Sequence, residues 1–440
     1  MSASTQLKRS LTPIMLWGLG VGYVISGMYF GWNLGLKEGG TLGLAIATFF
    51  IIILYVCFTF SYTELACAIP KAGGGFDYAN RALGKNWGFV AGMAQNIEFI
   101  FAPPAIAFAI GAYFNLFFPQ IPVLAIAIVV FVVFTSLNIY GVKAAASFEL
   151  LITILAVGEL LLFAGICLPH FELKNLQHNA FPNGWTGIFA AIPSAIWFFL
   201  AIEGVANVAE EAINPKRTML LGFGSAILTL VILCLLTFTS SVGVAGWEAI
   251  VYKTPTETSD SPLPLALSHI VDNNNILYHL LVTIGLFGLV ASFHGIILAA
   301  GRSSLEFGRV NFAPAFLGRV HPRFQTPANA LLVNMGIGII TLLLLNKRTA
   351  DIIIISVFGA LTLYIVSMLA LLRLRKKEPQ LERPFKAPLY PVFPIAALVI
   401  AGVSFVAMTI YFQKLALIYL LLLGVCFIAF KLFTKSNANN

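Results

Sequence analysis

The chain has 440 residues, 59% of them hydrophobic and only 10% charged, with a formal charge of +8. A soluble domain carries roughly 25% charged residues, so a soluble fold is excluded. The basic residues form no cluster interleaved with aromatics, which argues against a nucleic-acid surface.

Apolar tracts of about 20 residues recur along the chain, each long enough to cross a bilayer. The first follows Lys8 and Arg9. No small-residue cleavage site comes after it, so it reads as a retained span rather than a signal peptide. Twelve spans are expected, at 14–36, 41–63, 87–115, 121–140, 147–168, 187–208, 219–244, 275–301, 327–345, 350–372, 389–411 and 415–433. With the amino terminus placed in the cytoplasm, 20 of the 26 basic residues fall in inner segments, as the positive-inside rule requires. Both termini are therefore expected to be cytoplasmic. No soluble module is visible, and no GxxxxGK[ST] phosphate loop, so any energy for work must come from a gradient.

Span 1 reads LWGLGVGYVISGMYFGWNLG, with six glycines and Ser26 at its centre. Such a stretch packs closely against another helix or breaks, and a break is expected at Ser26-Gly27. Unwound backbone is tolerated in a membrane only against protein or a wetted cavity. Span 3 contains Pro103-Pro104 and is expected to kink there. Span 6 reads AIWFFLAIEGVANVAEEAINPKR and sets Glu203 between Ile202 and Gly204, where a second break is expected. If spans 1–5 (14–168) and 6–10 (187–372) are inverted repeats, the two interrupted helices occupy corresponding places, and spans 11 and 12 (389–433) are additions. The five cysteines form no CxxC pair and read as small buried hydrophobes.

Four acids fall inside spans: Glu98, Glu149, Glu159 and Glu203. No lysine or arginine lies at that depth. Charges there are costly and imply a partner or a cavity, so these acids are either protonated or meet a cationic guest. Glu203 is the first candidate for substrate contact, with Glu98 and Glu159 as candidates for binding or coupling. Glu149 reads as nearer a membrane face and structural. His294, the only histidine deep in a span, is either a coupling group or a satisfied interhelical bond. One histidine cannot build a metal centre, and no cofactor is implied. Glu210 and Glu211, at the end of span 6, read as gate or fold elements facing inner basic residues. Tyr23, Tyr29, Trp32, Trp197, Phe198 and Phe199 supply ring faces that attract an ammonium group, although each alone reads as packing.

The run AIEGVANVAEEAINPKR resembles the span 6 pattern of the amino acid–polyamine–organocation permeases, with Glu203 in the place of the first glutamate. NFAPAFLGRVHPRFQTPANA, from Asn311, is similar to their segment between spans 8 and 9. ERPFKAPLYPVFP, from Glu382, is similar to their lead into span 11. The stretches GYVISG, YFGWNLGL and WFFLAIEGVANVAEE most resemble the bacterial ethanolamine permeases. The resemblance implies an all-α polytopic protein of the 5+5 inverted-repeat type, working as a secondary transporter by alternating access. It implies import of a small cationic amine across a bacterial cytoplasmic membrane, with a proton as the plausible co-substrate.

Two departures matter. The family usually carries a Gly-Ser-Gly-like centre in span 1, whose N–H groups hold a substrate carboxylate. Here it reads Ile25-Ser26-Gly27, and isoleucine does not readily take the positive φ that glycine allows. A poorer anion nest fits a substrate without a carboxylate. Some proton-coupled relatives carry a lysine in span 5; here only Glu159 lies in that general region. The expected guest is ethanolammonium, its hydroxyl served by Ser26, Glu98 or a water. An amino acid or polyamine carrier of the same fold, and a small-cation channel, stand as alternatives.

Overall fold

A computed structural model of the chain describes residues 11–71, 73–140, 145–346 and 348–436. Nine helices among them are long and apolar enough to cross a membrane, and two shorter apolar helices, Pro13–Val24 and Ala328–Leu344, join them. Span 6 is built from shorter pieces. Each expected span thus has a helical counterpart.

Span 1 starts at Pro13, whose missing N–H is harmless in a first turn. Thr12 caps it by accepting the Met15 N–H at 3.4 Å. Span 2 lies within Leu34–Ala68, a helix that changes direction at Gly40. Span 3 runs through Lys85–Asn115 and stays helical across Pro103-Pro104. Spans 4 and 5 are Val123–Tyr140 and Ala145–Cys167. Asn214 and Pro215 start span 7, Pro215–Ala245, and the Asn214 side chain accepts the Arg217 N–H at 3.3 Å. Asn275 caps span 8, Ile276–Arg309. Span 9 is Ala328–Leu344 and span 10 is Thr349–Lys377. Spans 11 and 12 are Val392–Tyr411 and Gln413–Ser436. Spans 8 and 10 run on past the expected limits by several residues, because their polar last turns extend beyond the apolar tract.

Burial sorts the spans into layers. The apolar windows of spans 3 and 10 are 78% and 83% buried, whereas those of spans 4 and 12 are 28% and 22% buried. Spans 3 and 10 therefore form the centre of the bundle, and spans 4 and 12 its lipid-facing rim. The two faces of the bundle differ. One, the basic end, carries the start of span 1, an amphipathic helix Gly75–Leu83 not anticipated from the sequence, and the arginine-rich close of span 10. The opposite end carries a short hairpin in which Tyr252–Thr254 pairs with Glu257–Thr258.

Both expected breaks exist, displaced along the chain. Span 1 has only a one-residue hitch at Ile25, which stays right-handed at φ −59°, and the helix resumes over Ser26–Tyr29. Full unwinding comes at Phe30–Asn33, a few residues beyond Ser26-Gly27. Span 6 is helical over Gly184–Ala190 and Ile192–Trp197, unwinds at Phe198–Ala201, and continues as a 3-10 helix over Ile202–Glu211. Its break precedes Glu203 and passes through Ala201 in a left-handed conformation, φ +77°, which is uncommon for a residue bearing a Cβ.

Candidate functional site

The two breaks pack on each other. Phe30 meets Trp197 edge to face at 5.4 Å, and Trp32 stacks on Phe198 at 5.4 Å. Gly31 lies at φ +85°, and a Cβ there would come within 2.5 Å of the Trp197 ring. Glycine is thus required twice over at this crossing, for its conformation and for its size. Gly27 rests against the carbonyl of Trp197 and the backbone of Phe198. The glycines of span 1 act here as close-packing surface, and Gly27 is part of it.

The break places Glu203 at the head of the 3-10 segment, fully buried. Its Oε2 accepts the Tyr364 hydroxyl of span 10 at 2.9 Å, and that hydroxyl lies 3.1 Å from the Tyr55 hydroxyl of span 2. The Phe199 ring covers Tyr55 at 5.1 Å. Glu98 of span 3 is also fully buried and lies close to Glu203. Both oxygens of Glu98 and Oε1 of Glu203 lack a hydrogen-bond partner, and no Lys, Arg or His pairs with either acid among the described residues. Buried carboxylates are ordinarily satisfied. An acid pair with spare acceptor capacity, walled by tyrosine and phenylalanine, can hold an ammonium group or a shuttling proton.

The remaining sequence candidates divide. Tyr23 packs on Gly204 and Gly295, joining spans 1, 6 and 8. Ile202 is buried at the start of the 3-10 helix. Ser26 does not face an open cavity: its hydroxyl is 2.8 Å from that of Ser292, which donates to the Tyr23 carbonyl at 2.5 Å. Ile25 is buried and helical, so no positive-φ nest forms at that residue. Glu159 accepts the Tyr29 hydroxyl at 2.6 Å, next to Tyr113, and does not lie against the span 1 glycines. Glu149 does: its Oε1 would be 2.6 Å from a Cβ on Gly22, and its Oε2 is 4.0 Å from Nδ1 of His294. Glu159 thus lies beside the residue that precedes the unwound part of span 1, and Glu149 is the acid of span 5 that meets the glycine stripe. At the basic end Glu211 pairs with Arg302 of span 8 at 3.1 Å. The side chain of Glu210 lies outside the described part of the structure.

Sequence reasoning missed four groups. Tyr55 and Tyr364 sit unremarked in aliphatic runs, although a tyrosine at mid-span needs a partner for its hydroxyl. Asn33 is fully buried just past the span 1 break, accepts the Gly31 N–H at 3.1 Å and donates to the Ser259 carbonyl at 2.9 Å. Glu64, near the end of span 2, accepts Nε and Nη2 of Arg375 at 2.7 and 2.8 Å and the Ala387 N–H at 2.7 Å, with Arg383 at 3.3 Å. At the opposite end a cleft of about 790 Å³ opens, lined by Leu34, Phe108, Asp260 and Arg348 among others. Asp260 accepts the Thr349 hydroxyl there at 2.8 Å, and burial pushes its carboxyl up to about 6.

This arrangement defines a multi-pass membrane protein with two interrupted spans packed on each other and a buried acidic centre beside the break in span 6. The chain matches the amino acid permease family over residues 12–430, and it belongs to that family, within the amino acid–polyamine–organocation superfamily. Its relatives include an uncharacterised transporter of Rhizobium meliloti, 26% identical over 91% of this chain and 87% of that protein. The methylthioribose transporter of Bacillus subtilis is 24% identical over 96% and 94% of the two chains. The branched-chain amino acid permease BcaP of the same organism is 25% identical over 89% and 86%.

Proposed function

We propose that this permease is a secondary transporter that imports a small organic amine, ethanolammonium, across a bacterial cytoplasmic membrane. The observation that carries the reading is the Glu98–Glu203 pair, buried, without a basic partner and capped by Tyr364. The ammonium sits at Glu203, with Phe199 and Tyr23 as its apolar walls. The basic end is the cytoplasmic side, so both termini are cytoplasmic. Residues 14–168 and 187–372 form two inverted repeats whose first helices, spans 1 and 6, break at corresponding places. These helices rock against spans 3, 8 and 10, and the Glu211–Arg302 pair closes the inner side. Because the cargo is a cation, an inside-negative potential draws it inward by about 2.3 kcal/mol per 100 mV. Proton coupling runs through Glu98, with Glu159 and the Glu149–His294 contact as further titratable groups facing the moving spans.

An amino acid carrier is the second reading. The unwound backbone at Phe30–Asn33 and the names of the relatives favour it. Labelled ethanolamine uptake into proteoliposomes, challenged with choline, putrescine, serine and alanine, separates the two. Saturable uptake blocked by ethanolamine and not by serine supports the amine carrier. Amino acid exchange without ethanolamine uptake overturns it.

A further inference from the structure

The three elements that build the acid centre build a second polar cluster closer to the basic end. Span 2 contributes Tyr55 to the centre and Tyr62, two turns on, to the cluster. Span 10 contributes Tyr364 and then Ser367. Span 6 contributes Glu203 and then Asn207. The hydroxyl of Tyr62, which lies beside the Gly75 backbone, Oδ1 of Asn207 and Oγ of Ser367 are buried, and none makes a hydrogen bond of good geometry. They converge under one turn, Gly74-Gly75. A Cβ on Gly74 would be 2.5 Å from Asn207 Oδ1 and 3.4 Å from Tyr62 Oη. A Cβ on Gly75 would be 3.1 Å from Tyr62 Oη and 3.4 Å from Ser367 Oγ. Gly74 itself holds φ +54°.

Buried orphan oxygens in a native protein call for an explanation. Three of them, repeated from the same elements that serve Glu203 and roofed by two glycines, form a site for a donor-rich guest. We propose that Tyr62, Asn207 and Ser367 form an inner release subsite, which holds the ammonium group after it leaves Glu203 and before it enters the cytoplasm. The inference rests on the reading of Glu203 as the ammonium site. The amide in place of the acid gives the subsite its direction: an uncharged acceptor binds the cation more weakly than Glu203 and lets it go. Gly74-Gly75 is the cover, and it must swing aside for release.

The test measures two quantities on each variant: equilibrium binding of labelled ethanolamine to purified protein, and its initial uptake rate into proteoliposomes. Asn207→Leu removes the acceptor at similar volume. It should leave binding within about twofold and slow uptake about tenfold, the size of effect expected for one lost hydrogen bond to a cation. Asn207→Asp restores an acceptor and adds charge, so it should bind severalfold tighter and still turn over slowly. Uptake by both variants at the wild-type rate overturns the subsite. So does loss of binding by Asn207→Leu to the same degree as by Glu203→Gln, since Asn207 would then belong to the primary site or to the fold. Wild-type protein that binds no ethanolamine overturns the Glu203 reading itself, and the subsite with it.

Discussion

Glu64 and Glu203 are both fully buried glutamates, yet their surroundings are opposite. Glu64 meets two arginines and a backbone N–H, and every one of these contacts fixes span 10 and the segment before span 11 onto span 2. Glu203 meets a tyrosine hydroxyl and another acid. A carboxylate that is fully paired with guanidinium groups holds the fold and has nothing left for a guest. One that faces only neutral donors and a second carboxyl keeps acceptor capacity for a cation. Partners, more than depth, separate the structural acid from the candidate transport acid.

Exchanging the two residues for glutamine breaks the comparison most sharply. Glu203→Gln should lower amine uptake by roughly 100-fold through loss of a charged contact, with the thermal midpoint in detergent nearly unchanged. Glu64→Gln should do the reverse in kind: it leaves buried guanidinium groups uncompensated, costing about 3 kcal/mol, and should lower the thermal midpoint clearly. A Glu203→Gln protein that unfolds, or a Glu64→Gln protein that stays fully stable, would undo the distinction. Tyr364→Phe sharpens it by removing the one hydroxyl donated to Glu203, and should raise the apparent KM for amine roughly fivefold. The Arg302–Glu211 pair is partly exposed, so Arg302→Gln should change uptake only about twofold, while making a cysteine placed at the inner end of span 6 easier to label from the cytoplasmic side.

The smallest effect concerns the cleft at the opposite end. Burial raises the Asp260 carboxyl from an unfolded value near 4 to about 6. The folded state then binds more protons than the unfolded one between those two values, so this residue's contribution to stability falls as pH rises through that window. Above it the ionised, partly desolvated carboxylate is a persistent cost. Asp260→Asn should flatten the slope of thermal midpoint against pH between about 4 and 6, and an unchanged slope would remove Asp260 from the account.

Much of the fold was legible because a bilayer allows few solutions. Uninterrupted apolar tracts report spans directly, and the separation of lysines and arginines supports the count. The breaks in spans 1 and 6 were legible as glycine beside polar residues. Their places were not, because unwinding follows from how Phe30, Gly31, Trp197 and Phe198 pack across more than 160 residues of chain. Glu98 and Glu203 stood out as acids in hydrocarbon. Their mutual approach did not, since nothing local in the sequence reports which faces of spans 3 and 6 turn together. Tyr55, Tyr364 and Asn33 were hidden for a related reason: a hydroxyl or amide in an apolar run becomes informative only once its partner is known. The contacts of Glu149 were hidden too: it lies about one turn into span 5, and nothing local in the sequence reports that it packs inward against Gly22 and His294.

The segment before span 1 is stitched to the end of span 6. The Leu11 N–H donates to the Glu211 carbonyl at 3.0 Å, and the Ile213 N–H donates to the Leu11 carbonyl at 3.1 Å. The two interrupted spans are therefore joined at the basic end of the bundle as well as at their breaks. In the proposed transport cycle this coupling would make them move as one lever rather than as two independent arms. Spin labels placed on residues 13 and 213 should keep a constant separation through the cycle, while either label should move relative to one on span 8.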